Sequence, residues 1–404
     1  MAALKYWLWL TTAPALSNRT KLLLLEHFSS PEDVYYAQPD ELCLVEGITK
    51  QQAESLSDKS LARAERVLAD CARDGQFIVT MDDAAYPARL RDMYDPPVLL
   101  YGKGSLPLFD EEAAIAVVGT RSCTPYGLRC AHRMGYELAR QGAVVVSGMA
   151  KGIDGAAMRG ALQAGGFTAA VLGGGVDVIY PAENRRLYED VAATGVLLSE
   201  YPPGTEPIAS HFPVRNRILS GLSLAAVVVE APERSGALIT ASTALEQGRE
   251  VFAVPGPINA PDSKGCNALI RDGAGLVSEA WDILGFYEGR FPHKLRRLRA
   301  ALPDLPKGTD TAETTNDAPA VKKQKTPALP VLDVSRGPGG LTDDQLSLLR
   351  VLPTDAALLA DDAALQTDIP IRRVLSALTM LEIDGYVRRQ GAGSFLRTVE
   401  LKEE

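Results

Sequence analysis

Six short apolar runs dominate the middle of the chain: "AAIAVVGT" (113–120), "AVVVSG" (143–148), "TAAVLGGG" (168–175), "GVLLSE" (195–200), "LAAVVVEA" (224–231) and "EVFAVPG" (250–256). Each ends in small residues or a turn, and segments with helical spacing separate most of them. Strands apolar on both faces, alternating with helices, predict a mostly parallel sheet with helices on both sides, an α/β doubly wound domain over 109–289. In such sheets ligands sit beyond the carboxyl ends of the strands. That edge is where glycine, serine and arginine concentrate in this sequence.

The flanks have other patterns. Residues 1–75 show helical periodicity, and "LVEGITKQQAESL" (44–56) places a glycine turn between two apolar segments, as in a helix-hairpin-helix (SAM-like) unit. Such a hairpin either offers amides to a phosphate or serves only as a small packing module. The apolar run of the opening "MAALKYWLWLTTAPAL" is short for an export signal, and it is read as the start of this helical module. Residues 76–108 read as a connecting arm with one short strand. Residues 290–340, rich in Pro, Thr, Asp and Lys, read as a flexible basic linker. From 341 to 404 periodicity returns as three helices, a strand, a glycine turn and a strand, a winged-helix pattern. There "PIRRVLSALTMLEIDG" (370–385) takes the recognition-helix position with Arg372 and Arg373 near its start, and "YVRRQGAGSFLR" takes the wing position with Arg388 and Arg389. This segment carries 7 Lys+Arg against 11 Asp+Glu, so DNA and protein both stay open as its partner.

Composition narrows the chemistry. No apolar run approaches the roughly 18 residues that span a bilayer, so no membrane association is expected. The five cysteines are scattered without CxxC spacing, which argues against a zinc site or a disulfide framework and fits a reducing, cytoplasmic compartment. The net charge of -9 disfavours diffuse attraction to polyanions. Any anion site in the central domain must therefore be a focused hollow.

Candidate parts for such a hollow recur at the predicted strand ends. "VVGTRSCTPYG" places Gly119, Thr120 and Arg121 just after the first central strand, where small residues admit a phosphate, a helix N-terminus offers amides and a guanidinium adds a planar fork. "VSGMAKGID" supplies Ser147, Gly148 and Lys151, with Asp154 as a helix cap or loop brace. "LGGGVDVIYP" and "RSGALITA" repeat the theme, the latter with Ser235 and Gly236. In "FPVRNRILSGLS" (212–223), Arg215 and Arg217 share a side if the segment is a loop or strand, but diverge by about 200° if it is a helix. The loop geometry is expected, with Asn216 bracing it. Phe212 beside these cations suits single-stranded nucleic acid, because bases stack on aromatic rings for about 1–3 kcal/mol each while cations follow the backbone. His211 offers a further ring. No nucleophile elbow, Walker A loop or metal-ligand spacing appears, and no cofactor or metal is expected. Glu200 and Glu230 end strands near the same edge and keep a Rossmann-type nucleotide enzyme, such as a nucleoside monophosphate phosphoribohydrolase, open as the competing reading.

Together "YPARL", "VVGTRSCTPYG", "VSGMAKGIDGAA", "GGGVDVIYPAEN", "LLSEYPPG", "FPVRNRILSGLS", "VVVEAPERSGALITASTALEQGREVFAVPG" and "GCNALIRDGA" resemble the DNA-processing protein A family (DprA, also called Smf) over about residues 86–280. The resemblance implies an extended Rossmann-like domain that binds single-stranded DNA without sequence preference and without catalysis. It implies a homodimer that loads RecA recombinase onto incoming strands covered by single-strand binding protein, in natural transformation or recombinational repair. The family's binding turns fall on Gly119, Thr120 and Arg121, on Ser147 and Gly148, on Phe212, Arg215, Asn216 and Arg217, and on Ser235, Gly236 and Ala237. Met158 stands where many relatives place a histidine. For dimerisation, "NALIRDGA" (267–274), with Asn267, Leu269 and Ile270, is the expected surface.

Overall fold

All six apolar runs become strands, and they lie in one nine-stranded sheet in the computed structural model. The structure describes residues 3–297, 331–333, 341–354, 358–367, 369–389 and 394–402. In chain order the strands are β1 (Phe77–Thr80), β2 (Leu99–Gly104), β3 (Ala114–Val118), β4 (Val144–Ser147), β5 (Thr168–Val171), β6 (Val196–Ser199), β7 (Ala225–Val228), β8 (Glu250–Ala253) and β9 (Gly275–Leu276). Their spatial order is β1-β2-β6-β5-β4-β3-β7-β8-β9. From β6 to β9 every pairing is parallel, and β1 and β2 are antiparallel additions at one edge. The chain winds outward from β3 through β4, β5 and β6, then returns to the other side of β3 with β7. The β3/β7 boundary is therefore the topological switch point, where a doubly wound sheet opens a crevice.

Burial follows the two-residue period of a strand. Ala114, Ala116 and Val118 of β3 face one apolar layer, which includes Ile218, Leu219 and Leu222 and the helix Gly236–Glu246. Ile115 and Val117 face the opposite layer, which includes Met134 and Leu138 of the helix Pro125–Arg140 and Ile153 of the helix Ile153–Gln163. Both layers are apolar, so the strands carry few polar residues.

Three expectations about domain limits change. The arm at 76–108 forms two strands rather than one, and both extend the main sheet. The helices of residues 1–75 do not have a separate core: Trp7, Leu8, Trp9, Leu10 and Leu24 join one apolar cluster with Leu99 and Tyr101 of β2, Ala170 of β5 and Leu197 of β6. At the basic linker, residues 290–297 pack onto the sheet domain, with Phe291 and Leu295 buried and Lys294 paired to Glu112. Residues 298–330 and 334–340 lie outside the described residues.

The chain divides into two compact units, Met1–Pro303 and Asp304–Glu404. Within the second, the helices Asp343–Val351, Ala360–Thr367 and Ile371–Ile383 pack around Leu348, Ala363, Val374, Leu378 and Phe395. A three-stranded antiparallel sheet of Leu358–Leu359, Ser394–Arg397 and Val387–Arg389 completes the winged-helix fold. Arg373 is tied to Asp344 at 2.7 Å, and Arg389 lies 3.6 Å from Glu382. The side chain of Arg372 and residues 390–393, where a glycine turn was expected, lie outside the described residues.

Because the N-terminal helices share a core with the sheet, they should unfold with it. Leu10, fully buried, is a suitable probe. Leu10→Ala is expected to lower the unfolding free energy of the first unit by about 2–5 kcal/mol. In urea titrations, helix and sheet signals of that unit should shift together rather than separate.

Candidate nucleic-acid interface

The loops that leave the carboxyl ends of β3, β4 and β7 converge with the helix His211–Gly221 on a hollow of about 370 Å3 at the switch point. Gly119, Thr120, Arg121 and Ser122 form its first wall, Ala150 and Asp154 its second, and Arg234, Ser235 and Gly236 its third. Phe212, Arg215 and Asn216 close it from the helix. A larger cavity of about 690 Å3 lies elsewhere, lined by Arg89, Arg217, Arg249 and Arg290 and by as many carboxylates, Asp92, Asp95, Asp110 and Glu246. Its charges balance. Arg89 also donates to Leu222 O and Glu112 O, just ahead of β7 and β3, and so clamps the amino ends of these strands.

Each wall has a local cause. After β3, the backbone amide of Thr120 donates to Glu230 O at 2.8 Å. The buried Glu230 carboxylate then accepts from Thr124 N at 2.8 Å and from Thr124 Oγ1 at 2.6 Å. Thr124 caps the following helix, and Pro125 occupies its first turn, where a missing N–H costs nothing. These bonds fix both ends of the turn that carries Arg121. After β7, Ser235 caps the helix Gly236–Glu246 and accepts from Ala237 N. The first amides of a helix have no partner within it, so this wall brings donors to the hollow.

The β4 wall is the most constrained. Met149 holds a left-handed backbone at φ 58°, an unusual state for a side chain of its size. Asn184 holds the turn by donating to Met149 O and Ala150 O at 2.9 and 3.1 Å. Asp154 is buried and accepts from Gly148 N at 3.1 Å, so it braces this loop. Gly148 leaves no room for a side chain, since a Cβ there would stand 2.5 Å from Arg215 Nη1.

The segment 211–221 is a helix, not a loop, and this separates the two arginines. Arg215 turns inward, 4 % exposed, and donates to Gly148 O at 2.9 Å and to Val171 O. Burial pulls its pKa down to about 10, partly offset by the charge of Asp154, so the cation persists at neutral pH. Burial likewise raises the pKa of Asp154, against the pull of Arg215. Arg217 turns away from the hollow. It pairs with both oxygens of Glu200 at 2.7 Å and with Asp95 at 3.2 Å, and Asp95 accepts from Asn18 at 2.7 Å. Arg217 thereby ties the helix to the N-terminal helices.

Phe212 is half-buried at the rim. The Arg121 guanidinium lies over its ring at 4.8 Å, Arg215 at 5.9 Å, and the Tyr180 ring stands 5.7 Å away. Arg121 and Arg234 are exposed, and neither has an ion pair among the described residues. His211 stacks on Tyr201 at 4.0 Å and bonds Gly173 O through Nδ1.

Of the residues singled out from sequence, Gly119, Thr120, Arg121, Phe212, Arg215, Asn216, Ser235 and Gly236 meet in the hollow, and Gly148 lies beneath Arg215. Three do not reach it. Ser147 is buried and donates to Val117 O across β3 and β4. Lys151 pairs on the surface with Glu183. Arg217 is in the network just described. Glu200 and Glu230, the carboxylates of the enzyme reading, are spent on Arg217 and on Thr124. Sequence reading missed Arg234, although it is the basic residue directly ahead of Ser235, and Tyr180, which sits within a quoted turn. Among the described residues, no group of His, Cys, Asp and Glu could hold a metal, and no helix is long and apolar enough to cross a membrane.

The expected dimerisation residues are partly engaged within the chain. Asn267 accepts from Gly256 N and donates to Gly256 O, and Leu269 and Ile270 pack against the sheet core.

A doubly wound sheet with glycine turns, exposed cations and a partly buried ring at its switch point defines an α/β protein of the open, doubly wound class. The family model for DNA recombination-mediator protein A matches residues 77–288, and the DprA winged-helix model matches residues 334–393. The chain belongs to the DNA recombination-mediator protein A (DprA/Smf) family. It is 40% identical over 266 residues to the DNA processing protein DprA of Bacillus subtilis, covering 65% of this chain and 88% of that one. It is 33% identical over 398 residues to the Smf protein of Synechocystis, covering 95% and 96%. The X-ray structure of DNA processing protein A from Streptococcus pneumoniae aligns with a TM-score of 0.63 at 37% identity, covering 70% of this chain and 97% of that one.

Exchange at the two exposed and buried cations should separate their roles. Arg217→Ala removes hydrogen bonds to charged groups in a largely buried pair, and a loss of about 1.5–3 kcal/mol is expected in chemical denaturation. Arg121→Ala, at an exposed and unpaired position, is expected to change stability by no more than about 0.5 kcal/mol.

Proposed function

We propose that the protein binds single-stranded DNA at the switch-point hollow without reading its sequence, and that it acts as a recombination mediator rather than as an enzyme. One observation carries this reading: a guanidinium without an ion pair among the described residues, Arg121, lies over the partly buried ring of Phe212, and a second such cation, Arg234, lines the same hollow. Phosphates are drawn to the cations and to the amides of the β3 and β7 turns, while a base stacks on the ring. The competing nucleotide-enzyme reading is weakened because both candidate carboxylates are committed to structural bonds.

Family membership supports the rest of the proposal. The chain works in the cytoplasm as a homodimer, takes up strands covered by single-strand binding protein and passes them to RecA recombinase. Within the family binding turns, Arg215 and Gly148 shape the hollow from below, while Arg121, Phe212, Asn216, Ser235 and Gly236 meet the strand. Lys151 and Arg217 act outside the hollow.

Binding of fluorescent oligo-dT tests this. Phe212→Ala is expected to weaken affinity by about 5- to 150-fold, the equivalent of ~1–3 kcal/mol for one stacked base. Arg121→Ala and Arg234→Ala should each weaken binding and flatten the log–log salt dependence by about 0.7 per lost phosphate contact. Unchanged affinity in all three variants sinks the proposal.

A further inference from the structure

Tyr180 stands next to the hollow without an evident structural duty. It is 47% exposed, and its hydroxyl has no hydrogen-bond partner among the described residues. Core packing therefore does not account for a large ring at this position. Its ring centroid lies 5.7 Å from that of Phe212, with the planes tilted by 35°. Together with Arg121, Gly148 and Gly173 the two rings line a narrow crevice of about 10 Å3, so only the solvent-facing side of Tyr180 has room for a base.

The glycines give this crevice its form. A Cβ on Gly173 would stand 3.0 Å from Phe212 Cδ1, so bare backbone supports one side of the Phe212 ring. The crevice thus has bare backbone on one side, beside an exposed aromatic ring and an exposed guanidinium. Arg121 lines both the crevice and the hollow, which makes the two a continuous surface. Stacking platforms for successive bases along a cation-lined track are how single strands are held without sequence preference.

We infer that Tyr180 is a second base-stacking residue, and that the strand runs from the switch-point hollow past Arg121 and Phe212 onto the exposed face of Tyr180. The inference rests on the proposed single-strand binding at the hollow. It assigns the exposed face of Tyr180 a ligand class, a nucleobase adjacent to the one on Phe212. It also gives the bound strand a direction across the sheet edge, from the β7 side toward the turn that follows β5.

The test uses the full chain and an oligo-dT series of increasing length. Tyr180→Ala should leave the affinity for the shortest binding oligonucleotides within about twofold. For longer ones it should cost about 5- to 150-fold, the range that one stacked base supplies. Tyr180→Phe keeps the ring and should bind like the unsubstituted protein at every length. Tyr180→Trp adds a reporter: titration with oligo-dT should quench emission beyond the change shown by the protein's three native tryptophans. If Tyr180→Ala binds every length normally and Tyr180→Trp adds no quenching while Phe212→Ala weakens binding, the second platform is refuted and the hollow stands. If Phe212→Ala and Arg121→Ala also bind normally, both the platform and the single-strand reading fall.

Discussion

A guanidinium buried at the end of a parallel sheet is tolerable only when fixed acceptors take its hydrogen bonds. Arg215 meets that condition through Gly148 O and Val171 O, the carbonyls just past β4 and at the end of β5, with Asp154 supplying opposite charge nearby. The geometry of the hollow depends on this interaction. It fixes the helix His211–Gly221 over the sheet edge, sets Phe212 at the rim one turn earlier, and requires a glycine at 148. It also places a permanent positive charge below the surface, where it biases the potential without contacting solvent.

The cations near this edge divide into two kinds by burial. Arg215 and Arg217 are structural, one pinning the helix to the sheet and the other pinning it to the N-terminal helices through Glu200 and Asp95. Arg121 and Arg234 are exposed at the hollow and free to meet an anion. Near the hollow, the buried cations are held by carbonyls and carboxylates, while the two exposed ones have no ion pair among the described residues. The helix between the two sets is shared, so the N-terminal helices support the floor of the hollow even though none of their residues lines it.

The helix is also where sequence reading and structure part. Arg215 and Arg217 were expected on one side because the segment was read as a loop braced by Asn216, but proline is accepted in the first turn of a helix, and Pro213 sits there. Once the segment is helical, residues two apart diverge, and one arginine leaves the site. Ser147 was misplaced for a related reason, since a small polar residue at the end of a buried strand can serve the strand pairing as easily as a ligand. Tyr180 and Arg234 went unremarked because a ring or cation in a loop has no periodic signature. Their position emerges only when separate turns are brought together.

What the sequence by itself determined is the layered sheet, its six central strands and the edge where chemistry gathers. Apolar runs at strand length, separated by helices, have essentially one way to bury themselves, and turns rich in glycine mark the strand ends. The winged-helix pattern was legible for the same reason. Tertiary structure alone decided which side chains share the hollow, how the arm joined the sheet, and that the N-terminal helices belong to the same core. Those outcomes rest on contacts between residues far apart in the chain, such as Thr124 with Glu230 or Leu10 with the β2–β6 end of the sheet, and no local pattern encodes them.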